Sequence, residues 1–243
     1  MPVYLQLCIQ TWHKAIPDLT ISIINHANVH TYLPKVLLTE SFYKLPLAMQ
    51  SDVVSVWVLL SRGGLFIDVD TIITANPFSN SLFNADKLFA FGYQARRQIH
   101  LAVMFSQQPL NILLNTWIIE VTKKLAQPLP SPLPWDLVGN SIINKLLSDT
   151  SLEPHYQILE VAEYGNIAEL SLADENPYNR YIKFYFTPPI KTVSEIKQQT
   201  KGGMISLHNS WTPDIYRNAT LQDIIKSKDS LMLSHLLINL VAA

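Results

Sequence analysis

The residues best suited to chemistry are two aspartates, Asp68 and Asp70, which close the apolar run Leu65-Phe66-Ile67. Side chains alternate along a strand, so an extended Leu65 to Asp70 aims both carboxylates to one side while Val69 faces the opposite layer. The C-terminal end of an apolar strand is also where open α/β sheets usually bind ligands. Two anions held this close repel each other, and a hard divalent cation placed between them and a diphosphate relieves the repulsion. The chemistry to expect is therefore phosphate handling with Mg²⁺ or Mn²⁺. An isolated Asp-x-Asp triplet arises by chance in many chains and usually marks a solvated turn. The buried strand ahead of this one argues for a held pair.

The flanking elements follow from hydrophobic periodicity. Leu45 to Ser61 reads as a helix, with Gly63-Gly64 where its C-terminal cap belongs, and the aspartate strand Leu65 to Asp70 comes next. Before it, Tyr4 to Lys14 carries Leu5, Cys8, Ile9 and Trp12 at helical spacing, and Pro17-Asp18 stops that helix ahead of a strand-like Leu19 to Ile24. After it, Asn76-Pro77-Phe78 breaks the pattern. Lys87 to Gly92 and Ile99 to Ser106 read as strands, and Pro109 to Leu125 as a helix. A proline-rich loop, Gln127 to Pro134, leads to a helix at Trp135 to Leu147. Tyr156 to Val161 and Tyr181 to Phe186 read as strands, and Val193 to Lys201 as a polar, mobile loop. A last strand, Met204 to Leu207, runs into His208-Asn209-Ser210-Trp211. The alternation of helices and strands argues for α/β architecture.

Composition narrows the function classes. With 48% hydrophobic residues in 243, the chain can bury a substantial core. Its 18 basic and 19 acidic residues leave a formal charge of −1, so no broad positive field is available for nucleic acid. The single cysteine, Cys8, has no partner for an internal disulfide and reads as a small buried hydrophobe in a reducing compartment. The N-terminal residues lack a basic, apolar or cleavable signature, and no apolar stretch approaches the roughly 20 residues a membrane span needs. The expected location is cytoplasmic. Leu231 to Ala243 is apolar enough to lie at a membrane surface, but without a basic face it is expected to dock on the core.

Asp68 and Asp70 belong to a longer pattern. Ser51-Asp52 lies in the first half of the helix, Leu60-Ser61-Arg62-Gly63-Gly64-Leu65-Phe66-Ile67-Asp68-Val69-Asp70 follows, and Asp52 precedes Asp68 by 16 residues. In this pattern the chain resembles the DXD-containing, capsular-polysaccharide-type glycosyltransferases, relatives of the yeast mannosyltransferases and the clostridial glucosylating toxins. The early Cys8 to Asp18 segment and the late His208-Asn209-Ser210-Trp211 resemble two further family stretches.

The resemblance implies one glycosyltransferase domain, 1–243, with a GT-A-like (Rossmann-like) mixed, mostly parallel sheet flanked by helices. Residues 1–92 would form its nucleotide-sugar half, and 93–243 its acceptor half and closing segment. It implies a metal-dependent transfer of sugar from a UDP- or GDP-sugar donor to a glycan or lipid-linked acceptor, with retention of configuration, in surface polysaccharide or glycan synthesis. By the same resemblance Asp70 is the principal metal ligand, Asp68 contacts ribose and the metal shell, and Asp52 holds a donor-sugar hydroxyl. His208 is a metal or diphosphate ligand, and Ser210 and Trp211 contact the leaving diphosphate. A peripheral membrane contact is compatible with this reading.

The departures are specific. Ser55 stands where many relatives place a sugar-gripping arginine, and Phe66 replaces a tyrosine. His100-Leu101-Ala102 lacks the relatives' asparagine. The family's first, base-binding strand is missing from this sequence: either the true start lies upstream, or a trimmed form with weakened donor affinity is expected.

Two rival readings stand beside this one. A non-catalytic nucleotide-sugar-binding protein would bind donor with metal and transfer nothing. A haloacid-dehalogenase-like phosphatase would use Asp68 as a nucleophile and form a phosphoaspartyl intermediate, but Ile72 departs from that family's motif and no later paired-acidic motif is found.

Overall fold

The computed structural model describes residues 1–76, 87–160, 176–200 and 203–242. Its helices are α1 (Val3–Ala15), α2 (Glu40–Lys44), α3 (Leu47–Arg62), α4 (Ile112–Leu125), α5 (Asn140–Leu147), α6 (Pro177–Tyr185), α7 (Val193–Gln199), α8 (Asp214–Arg217), α9 (Leu221–Lys226) and α10 (Met232–Ala242). Its strands are β1 (Gly64–Ile67), β2 (Thr71–Ile73), β3 (Leu88–Tyr93), β4 (Gln98–Ser106), β5 (Tyr156–Glu160) and β6 (Met204–Ser206). They fall into two compact units. The first takes the described residues of Met1–Thr20, Asp68–Asn80 and Val161–Ala243, and the second those of Ile21–Ile67 and Ser81–Glu160.

The second unit is built on a four-stranded sheet in the order β1-β4-β3-β5. Strands β3 and β4 are joined by the short connection through Gln94–Arg96, which dictates an antiparallel pair. Strand β5 follows α4 and α5, a crossover long enough to return the chain parallel to β3. Helix α3 turns Met49, Val53, Val56 and Leu60 inward at helical spacing. It ends at Gly63, whose φ is 68° and whose added Cβ would lie 2.9 Å from the Ser106 carbonyl oxygen, so glycine is required there. Trp117 of α4 is fully buried in this core, and its indole N–H donates to the Val138 carbonyl at 3.0 Å.

The first unit is built on the antiparallel ribbon β2/β6, with Thr71 opposite Ser206, Ile72 opposite Ile205 and Ile73 opposite Met204. Around it α1, α6 and α10 gather a core that includes Tyr4, Cys8, Ile72, Phe184, Ile205, Leu233 and Leu236. Cys8 is fully buried, and α10 buries Met232, Leu233, Leu236, Leu237 and Leu240, which bears out the expectation that the C-terminal segment docks on the core. No helix among the described residues is long and apolar enough to cross a membrane.

Several expectations are corrected. The four-stranded sheet is mixed, but of the described pairings only β3 with β5 is parallel, and the connection between β3 and β4 is too short for a crossover. Leu19 to Ile24 forms no strand: no neighbour among the described residues pairs with it, and Ile23 stays exposed. High β-propensity needs a sheet surface to pack on. Tyr181 to Phe186 is not a strand but the end of α6, which Asn176 caps by accepting from the Tyr178 N–H, with Pro177 in the first turn. Val193 to Gln199 is helix α7 instead of a loop, started by a capping box in which Thr192 and Glu195 satisfy each other's backbone amides. The segment Trp135 to Leu147, expected to be helical throughout, becomes helical only at Asn140, after consecutive turns. Pro77-Phe78, Val161, Lys201 and Ala243 lie outside the described residues.

Truncating Leu236, which has no exposed surface, tests the docking of α10. Leu236→Ala is expected to lower stability by about 2–5 kcal/mol, read as a fall in the urea-unfolding midpoint. A loss under about 0.5 kcal/mol, as at surface positions, would contradict the docked helix.

Candidate functional site

The strand that leads to the aspartate pair is shorter than the alternation argument needs. Its last pairing is Ile67 opposite Val103, and the chain then turns, with the Thr71 N–H donating to the Asp68 carbonyl at 3.0 Å. Asp68 and Asp70 are therefore set by a turn, and the period-two reason for their common direction does not apply. Asp70 is the last residue before β2, and the β2/β6 ladder continues past its ends onto it. The Leu207 N–H donates to the Asp70 backbone carbonyl at 3.0 Å, and the Asn209 N–H donates to Asp70 Oδ2 at 2.9 Å.

This ribbon register brings Asp70 and the His208 to Trp211 segment together. The segment closes on itself as a turn, with the Trp211 and Thr212 amides both donating to the His208 carbonyl, at 2.9 and 3.0 Å. His208 and Trp211 lie ring to ring with centroids 4.0 Å apart. Tyr181 of α6 meets His208 at 5.6 Å and Trp211 at 5.8 Å, and its hydroxyl hydrogen-bonds Thr212 at 2.8 Å. Ser210 is exposed at the turn, whereas Trp211 is half-buried.

Asp70 is half-buried, and that burial raises its carboxyl above the usual range; the Asn209 and own-backbone hydrogen bonds only partly offset the shift. A desolvated carboxylate of this kind gains from a cation. Among the described residues no three His, Cys, Asp or Glu side chains group closely enough to hold a metal ion by themselves. One or two carboxylates fit a different arrangement, the hard octahedral cation whose remaining positions are filled by phosphate oxygens and water. The oxygen donors of Asp68 and Asp70 suit that role.

Asp52 belongs to the second unit. Its carboxyl is pushed up to about 7 by burial, and no donor among the described residues opposes the shift. The carboxylate lies against bare backbone: a Cβ added at Gly139 would meet Asp52 Oδ2 at 2.3 Å and Leu101 Cδ1 at 2.9 Å. Ser55 is fully buried, and its hydroxyl turns back to the Asp52 carbonyl at 2.8 Å, so it does not take the place of the relatives' arginine.

Sequence reasoning missed four residues here. Gly139 carried no signal beyond being a glycine inside a segment read as helical. Tyr181 was assigned to the wrong element, although the Asn176-Pro177 helix start was readable. Asn209 stood inside the recognised motif without a role. Tyr4, whose hydroxyl donates to Asn209 Oδ1, lies 205 residues from it in sequence.

A family model described as capsular polysaccharide synthesis protein matches residues 1–122. That span contains Asp52, Asp68 and Asp70 and ends before Gly139 and the His208 segment. No curated protein and no solved structure matches the chain.

The Asp52 shift makes a prediction with a definite sign. Unfolded, the group titrates near 3.8; folded, near 7. Between those values the folded state keeps a proton that the unfolded chain has lost, so this contribution falls as pH rises and the full penalty applies above about 7. Asp52→Asn, uncharged and of the same shape, is expected to raise the thermal midpoint at about pH 8 and to lose that advantage near pH 4. Thermal unfolding followed by circular dichroism across that range checks it, and equal midpoints at pH 8 would contradict a buried, unopposed carboxylate.

Proposed function

The chain belongs to the family of capsular polysaccharide synthesis proteins, whose model covers half of its residues, and from that premise we propose that it is a metal-dependent glycosyltransferase of GT-A type. In this reading it moves a sugar from a nucleoside-diphosphate donor to an acceptor hydroxyl during polysaccharide synthesis. The observation that carries the reading is the tethered carboxylate of Asp70. A turn presents it, the Asn209 amide fixes one of its oxygens, and the His208 to Trp211 turn lies beside it.

Asp70 and Asp68 would hold Mn²⁺ or Mg²⁺ against the donor diphosphate. Bound there, the cation would offset the negative charge that develops as the glycosidic bond breaks. The chain's own groups do the rest. His208, oriented by its contacts with Trp211 and Tyr181, would face the cation or a diphosphate oxygen. Ser210 would donate its hydroxyl to the leaving diphosphate, and Trp211 would pack against it. Asp52, in the second unit, would accept a hydroxyl of the donor sugar; such a donor favours the ionised carboxylate, so binding would lower its pKa. We infer retention of configuration: the acceptor oxygen attacks the face that the diphosphate leaves, and the acceptor proton passes to the departing phosphate oxygen. No side chain is assigned as nucleophile.

Ser55 favours keeping the second reading, a nucleotide-sugar-binding protein without transfer. Its buried, inward-bonded hydroxyl offers the donor sugar none of the grip an arginine would supply.

Calorimetric titration of UDP and GDP, with and without Mn²⁺, tests the proposal. Metal-dependent binding of one nucleotide is expected, and Asp70→Asn should weaken it by at least about 10-fold, roughly 1.4 kcal/mol. Folded protein that binds neither nucleotide would refute the donor site. Binding without release of sugar to any acceptor or to water would favour the second reading.

A further inference from the structure

Helix α1 supplies the first unit with more than apolar packing. Three of its residues, Tyr4, Thr11 and Trp12, make polar contacts with the segments around Asp70. The Trp12 indole N–H donates to the Thr71 carbonyl at 2.6 Å, and the Ile73 N–H donates to Thr11 Oγ1 at 3.0 Å. The Tyr4 hydroxyl donates to Asn209 Oδ1, and the Asn209 backbone amide in turn donates to Asp70 Oδ2 at 2.9 Å. Tyr4, Thr11 and Trp12 stand seven and eight positions apart, which places them on one face of the helix. That face thus grips both sides of Asp70, the strand that follows it and the turn that caps it.

Tyr4 has no exposed surface and is packed against Tyr216, with ring centroids 5.8 Å apart, so its hydroxyl is held in one place. Asn209, by contrast, is exposed at the turn. An exposed turn residue would ordinarily sample several conformations. Anchoring its side chain to a buried phenol fixes the orientation of its backbone amide, and with it the carboxylate that the amide holds.

We infer that Tyr4 and Asn209 are positioning residues for Asp70, forming a two-step relay from α1 that presets the carboxylate for a divalent cation. The inference rests on the reading of Asp70 as a cation ligand. Groups that orient a metal ligand from behind typically change metal affinity by about 10- to 100-fold when removed. In this arrangement both residues would act on the cation only through Asp70.

The test is Mn²⁺ binding to the full chain, measured by calorimetry and by electron paramagnetic resonance, alone and with UDP or GDP. Tyr4→Phe keeps the ring and removes the hydroxyl, and Asn209→Ala removes the acceptor at an exposed site where folding is least at risk. Each is expected to weaken Mn²⁺ binding about 10-fold. The double variant should be no weaker than the worse single one, because both break the same chain of contacts. A lowered thermal midpoint with Mn²⁺ affinity unchanged in both variants would reduce the pair to ordinary packing and overturn the inference alone. Wild-type protein that binds no Mn²⁺ in any of these conditions would overturn the inference and the cation-ligand reading together.

Discussion

The arrangement of the first unit depends on a ribbon of only two strands, β2 and β6. A two-stranded ladder is marginal in water by itself, and this one is held by what surrounds it. Ile72 and Ile205 are fully buried opposite each other, and α1 bonds to the backbone of β2 at both Thr71 and Ile73. The register so fixed has a consequence beyond its own residues. Because Thr71 faces Ser206, the next residues outward are Asp70 and Leu207, and the ladder runs on to the carboxylate of Asp70. Shifting that register by one residue would turn Ile72 and Ile205 out of the core and separate Asp70 from its amide donor.

The parts of this that were legible in the sequence are those where local signals agree. An apolar helix, a glycine pair and a short apolar strand specify α3, Gly63 and β1, since each needs the next: the helix must stop, the stop must turn, and the turn must deliver a buried strand. The two aspartates were found by that context. Their geometry was not, because a strand ends where its partner's pairing ends, and β4 stops supporting β1 at Ile67 opposite Val103. That partner is some 36 residues away, as the numbering of the pair shows, and no local pattern marks the last rung. Helices α6 and α7 were misread for a different reason. Their starts are written in side-chain caps at Asn176 and Thr192, whereas the aromatic and polar composition of the segments was given more weight than the caps. In α6 the backbone's need for capping overrode the β-propensity of residues such as Tyr181 and Phe184. The link from Tyr4 to Asn209 belongs to neither class: it is a tertiary contact between a helix and a distant turn, with no periodic trace.

The two carboxylates raised by burial, Asp70 and Asp52, differ in how the protein treats the cost. At Asp70 part of the desolvation is offset within the chain, by a backbone amide that approaches along the continuation of a strand pair. A carboxylate tethered in this way is preorganised for a ligand that makes a strong, geometrically strict contact, which is what a small divalent cation demands. At Asp52 nothing among the described residues offsets the desolvation, and the side chain rests on the bare backbone of Gly139. Burying a charge without a partner is tolerated when the group can stay protonated, and a pKa near 7 lets it do so. A group poised between two protonation states can then exchange its proton for a hydroxyl donor from a ligand. In the proposed function a sugar hydroxyl would supply that donor without requiring a cation, so the same residue type would serve two different kinds of recognition. What separates them is whether the backbone reaches the carboxylate first.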